Sequence, residues 1–326
     1  MPLEHDAVPA FAVVRFRAAQ GAPAVPGVLI EGRIHPLDLA GLGVGSLNEV
    51  FERWPELEEP LRATALNDPG VALEDVVLAA PVEPRQVLQT GANYRTHVID
   101  LDLAHRPKDD PRSEEQARAE IAKIMDDRAA HGEPYFFLGL PQTVVGDDQP
   151  LVLPAYSDRN DWELELAAVI GTPAFRVPAE RALEHVWGYT IVNDITSRDL
   201  VFRRDMPAIG TDWYRAKNGR GFNPTGPFAV PAALLPAPDA FALRLDLNGE
   251  TMQDATTDDL LFDLPALISG ASQILPLLPG DLLLTGSPAG NGQARGIFLK
   301  AGDQLVGSIT GLGTQRITCA QDEEDR

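Results

Sequence analysis

Glu163 and Glu165 stand two positions apart in Asp161-Trp162-Glu163-Leu164-Glu165-Leu166-Ala167-Ala168-Val169-Ile170-Gly171, a run with the alternation of a β-strand. Alternation sends Asp161, Glu163 and Glu165 to one side and Trp162, Leu164, Leu166 and Ile170 to the other. Two carboxylates this close repel, which is costly unless a cation lies between them. A hard divalent cation that takes oxygen ligands reverses that cost. On these residues alone, a solvated strand face explains the pair equally well.

Other segments present chemistry at similar places. Val186–Asn193 is an apolar strand that runs into Asp194-Ile195-Thr196-Ser197-Arg198-Asp199, so Asp194 sits where a buried strand ends and can offer a third carboxylate. In Gly91-Ala92-Asn93-Tyr94-Arg95-Thr96-His97-Val98-Ile99-Asp100, a helix would make His97 and Asp100 neighbours at i and i+3. Gly280–Gly290 is a short apolar strand opening into a glycine-rich loop with the hydroxyls of Thr285 and Ser287.

Together, Asn93-Tyr94…His97, Glu163-x-Glu165, Asn193-Asp194…Arg198-Asp199, Lys217…Pro224-Thr225-Gly226-Pro227 and Thr285-Gly286-Ser287-Pro288-Ala289-Gly290 resemble the fumarylacetoacetate hydrolase superfamily. The resemblance covers roughly residues 85–315. It implies an α+β, mostly β fold, a mixed β-sandwich roll (residues 83–320) behind a small N-terminal accessory domain (residues 1–82), in a protein that works as a homodimer. It assigns a divalent metal to Glu163, Glu165 and Asp194, whose oxygen ligands suit Mg²⁺ or Mn²⁺ and also admit Ca²⁺. His97 is then the base that activates water, paired with Asp100 where part of the family has the longer glutamate. Lys217 and Arg198 would face a substrate carboxylate or a developing oxyanion, although Arg198 could instead bridge to Asp199 or Asp205. Ser287 keeps the hydroxyl of the usual threonine, Tyr94 is expected to contact substrate, and Asn93 and Asn193 to support turns or ligands.

Three departures bear on the substrate. Val201 replaces a glutamine common in the hydrolases, Asn218-Gly219-Arg220-Gly221-Phe222 follows Lys217 without the usual Ser-Phe-Asp, and Gly139-Leu140 replaces a lysine. Lost polar contacts and a new Arg220 point to a substrate that is larger or carries a second anionic group.

These residues need a scaffold. The 326 residues, 44% hydrophobic, suffice for one large domain or one large and one small. In the N-terminal part, Phe11–Phe16 and Pro26–Ile30 read as strands, Ser46–Trp54 as a helix with Ser46 as N-cap and Glu49 at the capping-box position, and Val76–Val82 closes the unit. Pro111–Met125 has high helix propensity, a thin apolar stripe and Ser113 as a cap. Following His97 and Asp100, residues 102–133 are expected to form a helical lid. Beyond residue 135 short strands alternate with turns, with a helix over Pro178–His185 and a disordered charged tail at residues 321–326.

Composition narrows the partners. A net charge of −21 argues against nucleic acid and anionic membranes, and a small anionic keto acid would need a local positive patch or a metal to bind. Cys319 is the single cysteine, so no intrachain disulfide can form. Met1–Asp6 lack the basic segment and apolar run of a signal peptide, and no apolar run approaches the roughly 20 residues of a membrane helix. A cytoplasmic protein is expected. No His-Glu-x-x-His, P-loop or Gly-x-Ser-x-Gly motif occurs, and Gly41–Gly45 reads as a turn.

The expected activity is metal-dependent hydrolysis of a carbon–carbon bond in a β-diketo acid, an acylpyruvate or other 2,4-diketo acid, during small-molecule catabolism. A 2-oxo acid decarboxylase, hydratase or dehydratase would use the same metal without the water-activating dyad. A non-catalytic binding protein is the third reading, opposed by the intact Glu163, Glu165, Asp194, His97 and Lys217.

Overall fold

The computed structural model describes residues 7–63, 68–104, 106–107 and 109–322. The N-terminal strands form an antiparallel sheet of β1 (Phe11–Arg17), β2 (Val25–Ile30), β3 (Arg33–Pro36), β4 (Val71–Ala72) and β5 (Val77–Ala79), in the order β4-β3-β2-β1-β5. Between β3 and β4 lie α1 (Leu47–Glu52) and α2 (Trp54–Ala63). The Ser46 hydroxyl accepts the Glu49 N–H at 3.3 Å, satisfying one donor that a helix start leaves free. The Glu49 carboxylate takes the Gly45 N–H at 3.0 Å, one residue earlier than a capping box requires.

The chain continues through β6 (Val87–Gly91), α3 (Arg95–Ala104), α4 (Glu114–His131) and β7 (Tyr135–Gly139). Short strands follow: β8 (Val144–Val145), β9 (Leu151–Leu153) and β10 (Asn160–Asp161). The central pair is β11 (Leu164–Ile170) and β12 (Val186–Asn193), followed by β13 (Thr196–Ser197), α5 (Trp213–Lys217), β14 (Asn223–Pro224) and β15 (Val230–Pro231). The last third holds β16 (Ala242–Leu247), β17 (Glu250–Thr256), α6 (Leu264–Ile274), β18 (Leu282–Leu284), α7 (Gly292–Arg295), β19 (Gln304–Ile309) and β20 (Gly313–Gln321).

The fold is α+β and rich in strands. A six-stranded sheet runs β15-β12-β11-β18-β6-β7, antiparallel except for the parallel β18–β6 pair. A five-stranded sheet runs β17-β16-β19-β20-β9, with only β20–β9 parallel. The period of two in β11 decides what lies on each face. Leu164, Leu166, Ala168 and Ile170 join the cluster shared with Leu243, Leu245, Leu305 and Ile309 of the five-stranded sheet. Ala167 and Val169 join the cluster shared with Val13, Val28, Val50 and Phe51 of the N-terminal unit. Both faces of β11 are therefore covered, and each buried Leu or Ile contributes about 1.5–3 kcal/mol. At Gly307 the sheets approach so closely that a Cβ would lie 2.5 Å from Leu164 Cδ1.

The N-terminal residues thus share a core with the central sheet. Phe51 and Trp54 pack their rings on Trp187 of β12, with centroids 4.5 and 5.1 Å away.

The expected helix after residue 111 is α4, capped by Ser113 in a reciprocal capping box with Gln116. Its thin stripe, Ala117, Ile121 and Met125, is buried, and ion pairs Arg95–Asp126 and Arg118–Asp100, each at 2.7 Å, tie α4 to α3. Over residues 102–133 the described structure is therefore a helix docked through these three apolar residues.

Two elements differ from expectation. The helix expected from Pro178 begins at Ala179 and winds as a 3₁₀ helix, with three residues per turn, rather than as an α-helix. Gln321 is not disordered but ends β20, in register with Leu153 of β9, which gives its backbone a ladder partner. Residues 323–326, and the opening six that bear on a signal peptide, lie outside the described residues. Among the described residues no helix is long and apolar enough to cross a membrane.

Candidate active site

Strand register, not sequence spacing, assembles the carboxylates. β11 pairs with β12 so that Leu164 faces Asn193 and Glu165 faces Val192, which leaves Asp194 just beyond the ladder beside Glu163. The Asp194 N–H donates to Glu163 O at 2.8 Å, and Asn193 Oδ1 accepts the Glu163 N–H at 2.9 Å. Asn193 therefore anchors the Glu163 backbone. Glu163, Glu165 and Asp194 each bring an oxygen within 4.8 Å of the others. Oxygens bound to one cation at about 2.0–2.6 Å can span that distance. The turn at Gly286, whose φ of +93° suits glycine, aims its N–H at Glu165 Oε2, 2.8 Å away. The solvated-face alternative fails, since Glu165 and Asp194 are each 1% exposed.

Two cations sit inside the cluster. Lys217, at the end of α5, donates Nζ to Glu163 Oε2 and Asp194 Oδ2, both at 2.5 Å, and to Asp194 O at 3.2 Å. Arg198 donates to Asp161 Oδ2 at 2.7 Å and Glu163 Oε1 at 2.6 Å. The bridges considered for Arg198 to Asp199 or Asp205 do not form: Asp199 accepts the Ser157 hydroxyl, and Asp205 pairs with Arg203. The Asp161 carboxylate also accepts the N–H groups of Gly292 and Gln293.

Four carboxyl groups thus face two cations, an excess of two negative charges when all are ionised. Burial, then repulsion from Asp194 and Glu163, pushes Glu165 well above the usual carboxylate range. Asp194 is also raised, by burial first, with Lys217 opposing and Glu163 adding to the rise. Glu163 is pulled down despite its burial because Lys217 and Arg198 both touch it. An all-oxygen donor set with two unbalanced charges fits a hard divalent cation such as Mg²⁺, Mn²⁺ or Ca²⁺.

A cavity of about 280 Å³ opens onto this cluster, lined by Glu163, Glu165, Arg198, Lys217, Ser287 and His97. Burial lowers the His97 imidazole below its ordinary value, with Glu163 opposing and Arg198 reinforcing the effect. The sequence-based pairing with Asp100 needs correction: the Asp100 carboxylate turns to Arg118 on α4, and Asp102 lines the cavity instead. Tyr94 needs one too. It is fully buried and absent from the cavity wall, its backbone bridged to Leu260, and burial together with nearby Glu165 pushes its phenol well above the ordinary value. Ser287 does face the cavity and accepts from Gln253 Nε2 at 2.9 Å. Asn93 braces the loop by donating to Phe262 O and Thr285 O. Val201 is buried and Arg220 exposed, and neither lines the cavity, so Arg220 offers no second anion contact there.

Sequence reasoning missed several neighbours. Gln89 donates Nε2 to Asp194 Oδ1 and Asn223 Oδ1; an amide inside the apolar run of β6 was its visible signal. The strand expected from Asp161 is broken: Asp161 ends β10, paired with β13, Trp162 and Glu163 lie between strands, and β11 begins at Leu164, so Asp161 reaches Arg198 from a separate ladder. Tyr135, Phe137 and Trp213 build an aromatic wall from β7 and α5.

Comparison with known proteins follows the same residues. The profile of the fumarylacetoacetate (FAA) hydrolase C-terminal family matches residues 86–320. A fumarylacetoacetate hydrolase domain-containing protein 2 homolog of Dictyostelium discoideum is 30% identical over 280 residues, 82% of this chain and 81% of that protein. A mitochondrial oxaloacetate tautomerase of Xenopus laevis is 32% identical over 242 residues, 73% of this chain and 67% of that one. The solved maleylpyruvate hydrolase from Sphingobium sp. SYK-6, in complex with manganese(II) ion and pyruvate, superposes with a TM-score of 0.72 at 25% identity, covering 96% of this chain and 100% of that one.

Proposed function

The chain belongs to the fumarylacetoacetate hydrolase family, and from that premise we propose that it is a divalent-metal-dependent hydrolase that cleaves a carbon–carbon bond in a β-diketo acid of the acylpyruvate type. The observation that carries this reading is the buried cluster of Glu163, Glu165 and Asp194, which with Asp161 stands two positive charges short of balance against Lys217 and Arg198 and opens to a cavity. A divalent cation held by these three would act as a Lewis acid toward the oxygens of a 2-oxo acid head.

The chain's own residues account for the remaining tasks. His97, kept neutral near pH 7 by burial, is a proton acceptor on the cavity wall and removes a proton from attacking water. Lys217 stays protonated because Asp194 and Glu163 outweigh its desolvation, so it presents a fixed positive charge toward developing enolate charge. Arg198 donates to the Glu163 oxygen that Lys217 leaves and fixes the orientation of that carboxylate. The Gly286 N–H does the same for Glu165.

A panel of 2,4-diketo acids incubated with Mg²⁺ or Mn²⁺ tests the reading, with loss of enol absorbance followed and products identified by mass spectrometry. Two acids are the expected products; carbon dioxide or a dehydrated product would mean a lyase. A second reading, keto–enol tautomerisation of a 2-oxo acid, is favoured by one observation. The Asp100 carboxylate is held by Arg118, so it acts on His97 only through space and does not orient the imidazole toward water. Tautomerisation needs a base for a C–H proton but no activated water. Solvent deuterium entering C3 of oxaloacetate without new acids would select it.

A further inference from the structure

One wall of the cavity is aromatic, and the cation that touches it, Lys217 with its Nζ 5.6 Å from the Phe137 ring centroid, is already bound to Glu163 and Asp194. Phe137 and Trp213 stack with centroids 4.6 Å apart and planes 17° from parallel. The Trp213 Nε1–H donates to the Tyr135 hydroxyl at 2.6 Å, so the indole is fixed from its polar edge as well. Val98 and Leu101 of α3 add apolar surface, and Asp102 places a carboxylate at the rim. The cationic side chains lining the cavity among the described residues, Arg198 and Lys217, are both bound to carboxylates.

A second carboxylate at the far end of a substrate would therefore meet aromatic faces and Asp102, with no guanidinium or ammonium free of a carboxylate partner to receive it. Anions avoid the negative faces of aromatic rings, whereas a planar apolar group gains both burial and offset stacking there. Such a group would also reach the wall at little entropic cost, because Trp213 and Phe137 already hold each other in place.

We propose that Tyr135, Phe137 and Trp213 select the tail of the substrate, and that this site takes a 2-oxo acid with one carboxylate and a planar, apolar tail, such as an aroylpyruvate, in preference to a dicarboxylic keto acid. The proposal rests on the reading of the carboxylate cluster as a metal site that grips the 2-oxo acid head.

Three stable probes share that head and differ in the tail: oxalate, N-phenyloxamate and N-oxalylglycine. Calorimetric titration into the Mg²⁺-loaded protein should give N-phenyloxamate an affinity at least about tenfold above that of N-oxalylglycine, from stacking and burial of one ring. Trp213→Ala should remove about that factor for N-phenyloxamate and much less for oxalate. N-oxalylglycine binding as tightly as N-phenyloxamate to the unmodified protein overturns the proposal, whatever the variant does. So does a Trp213→Ala loss equal for all three probes. Absence of oxalate binding in the presence of Mg²⁺ fails differently, since it removes the head-binding reading on which the proposal stands.

Discussion

Replacing Glu165 with glutamine should stabilise the metal-free protein and destabilise the metal-loaded one. The Glu165 oxygen lies within 4.8 Å of oxygens of both Glu163 and Asp194. At an effective dielectric constant near 20, each like-charged pair at that distance costs about 3.5 kcal/mol. The penalty has a ceiling, because the carboxyl can take up a proton instead. Holding a group of ordinary pKa 4.5 neutral at pH 7 costs about 3.4 kcal/mol. Lys217 recovers part of this, and the amide oxygen of glutamine can still accept the Gly286 N–H. Glu165→Gln should therefore unfold about 1–3 kcal/mol later than the parent in EDTA at pH 7. Because the folded state raises this carboxyl, it binds more protons than the unfolded chain, so the penalty appears as pH rises above 4.5 and vanishes below it. The gap should accordingly close near pH 4. With Mn²⁺ in thousandfold excess over its dissociation constant, the parent gains about 4.1 kcal/mol while the variant, one ligand short, gains much less, and the order inverts. Urea denaturation with and without Mn²⁺ reads both arms. A variant less stable than its parent in EDTA, or equal stabilisation of both proteins by Mn²⁺, would refute the charge accounting behind the metal site.

Other perturbations separate the roles of neighbouring groups. His97→Ala should lower turnover of the best diketo acid by about 10²–10⁴ while leaving calorimetric Mn²⁺ affinity nearly unchanged; full turnover would make His97 structural. Asp100→Asn removes a half-exposed partner of Arg118, so kcat should change less than about threefold and stability by less than about 1 kcal/mol, whereas a loss matching that of His97→Ala in steady-state assays would restore the dyad. Asp147 is pushed up to about 7, chiefly by burial, with one oxygen lacking any hydrogen-bond partner and the other taking the Arg316 N–H. Its raised carboxyl favours folding below the unfolded value of 3.8 and loses that advantage as pH climbs through about 7. Asp147→Asn should thus be about 1–2 kcal/mol more stable than the parent at pH 8 and no more stable at pH 4, as equilibrium unfolding at the two pH values would measure.

What the sequence disclosed follows from how far each feature reaches along the chain. That Glu163 and Glu165 lie together was legible because a period of two is local, although Glu163 sits one residue before β11, and Ser113 announced α4 because a cap is local too. The i, i+4 stripe of Ala117, Ile121 and Met125 could be seen, but not that its burial against α3 would bring Arg118 to Asp100. Helical spacing placed His97 and Asp100 on neighbouring positions, and a competing cation 18 residues further on decided where the carboxylate went. Lys217 could be marked as a site cation but not seen to bridge Glu163 and Asp194, because three separate segments meet there. The aromatic wall stayed hidden for a similar reason: Tyr135 and Phe137 share a face of β7, but Trp213 joins them only through the packing of α5 on that strand.

The committed state of Arg198 and Lys217 has a kinetic consequence for a protein of net charge −21. An anionic keto acid approaches against a repulsive field, and no free guanidinium or ammonium on the cavity wall offsets it among the described residues. A bound divalent cation only balances the four carboxyl groups and two cations, so it offers coordination positions without a long-range positive field. Steering by opposite charge, which makes association fall as salt rises, is therefore absent here. Screening should act in the other direction: the Debye length shrinks from about 30 Å at 0.01 M to about 8 Å at 0.15 M, which hides most of the distant surface charge from the substrate. With the metal kept saturating, kcat/KM for an anionic diketo acid should rise severalfold over that range. A fall instead would mean that a cation free of its carboxylate partners guides the substrate in, and the pairing of Arg198 and Lys217 with the acidic cluster would not describe the working enzyme.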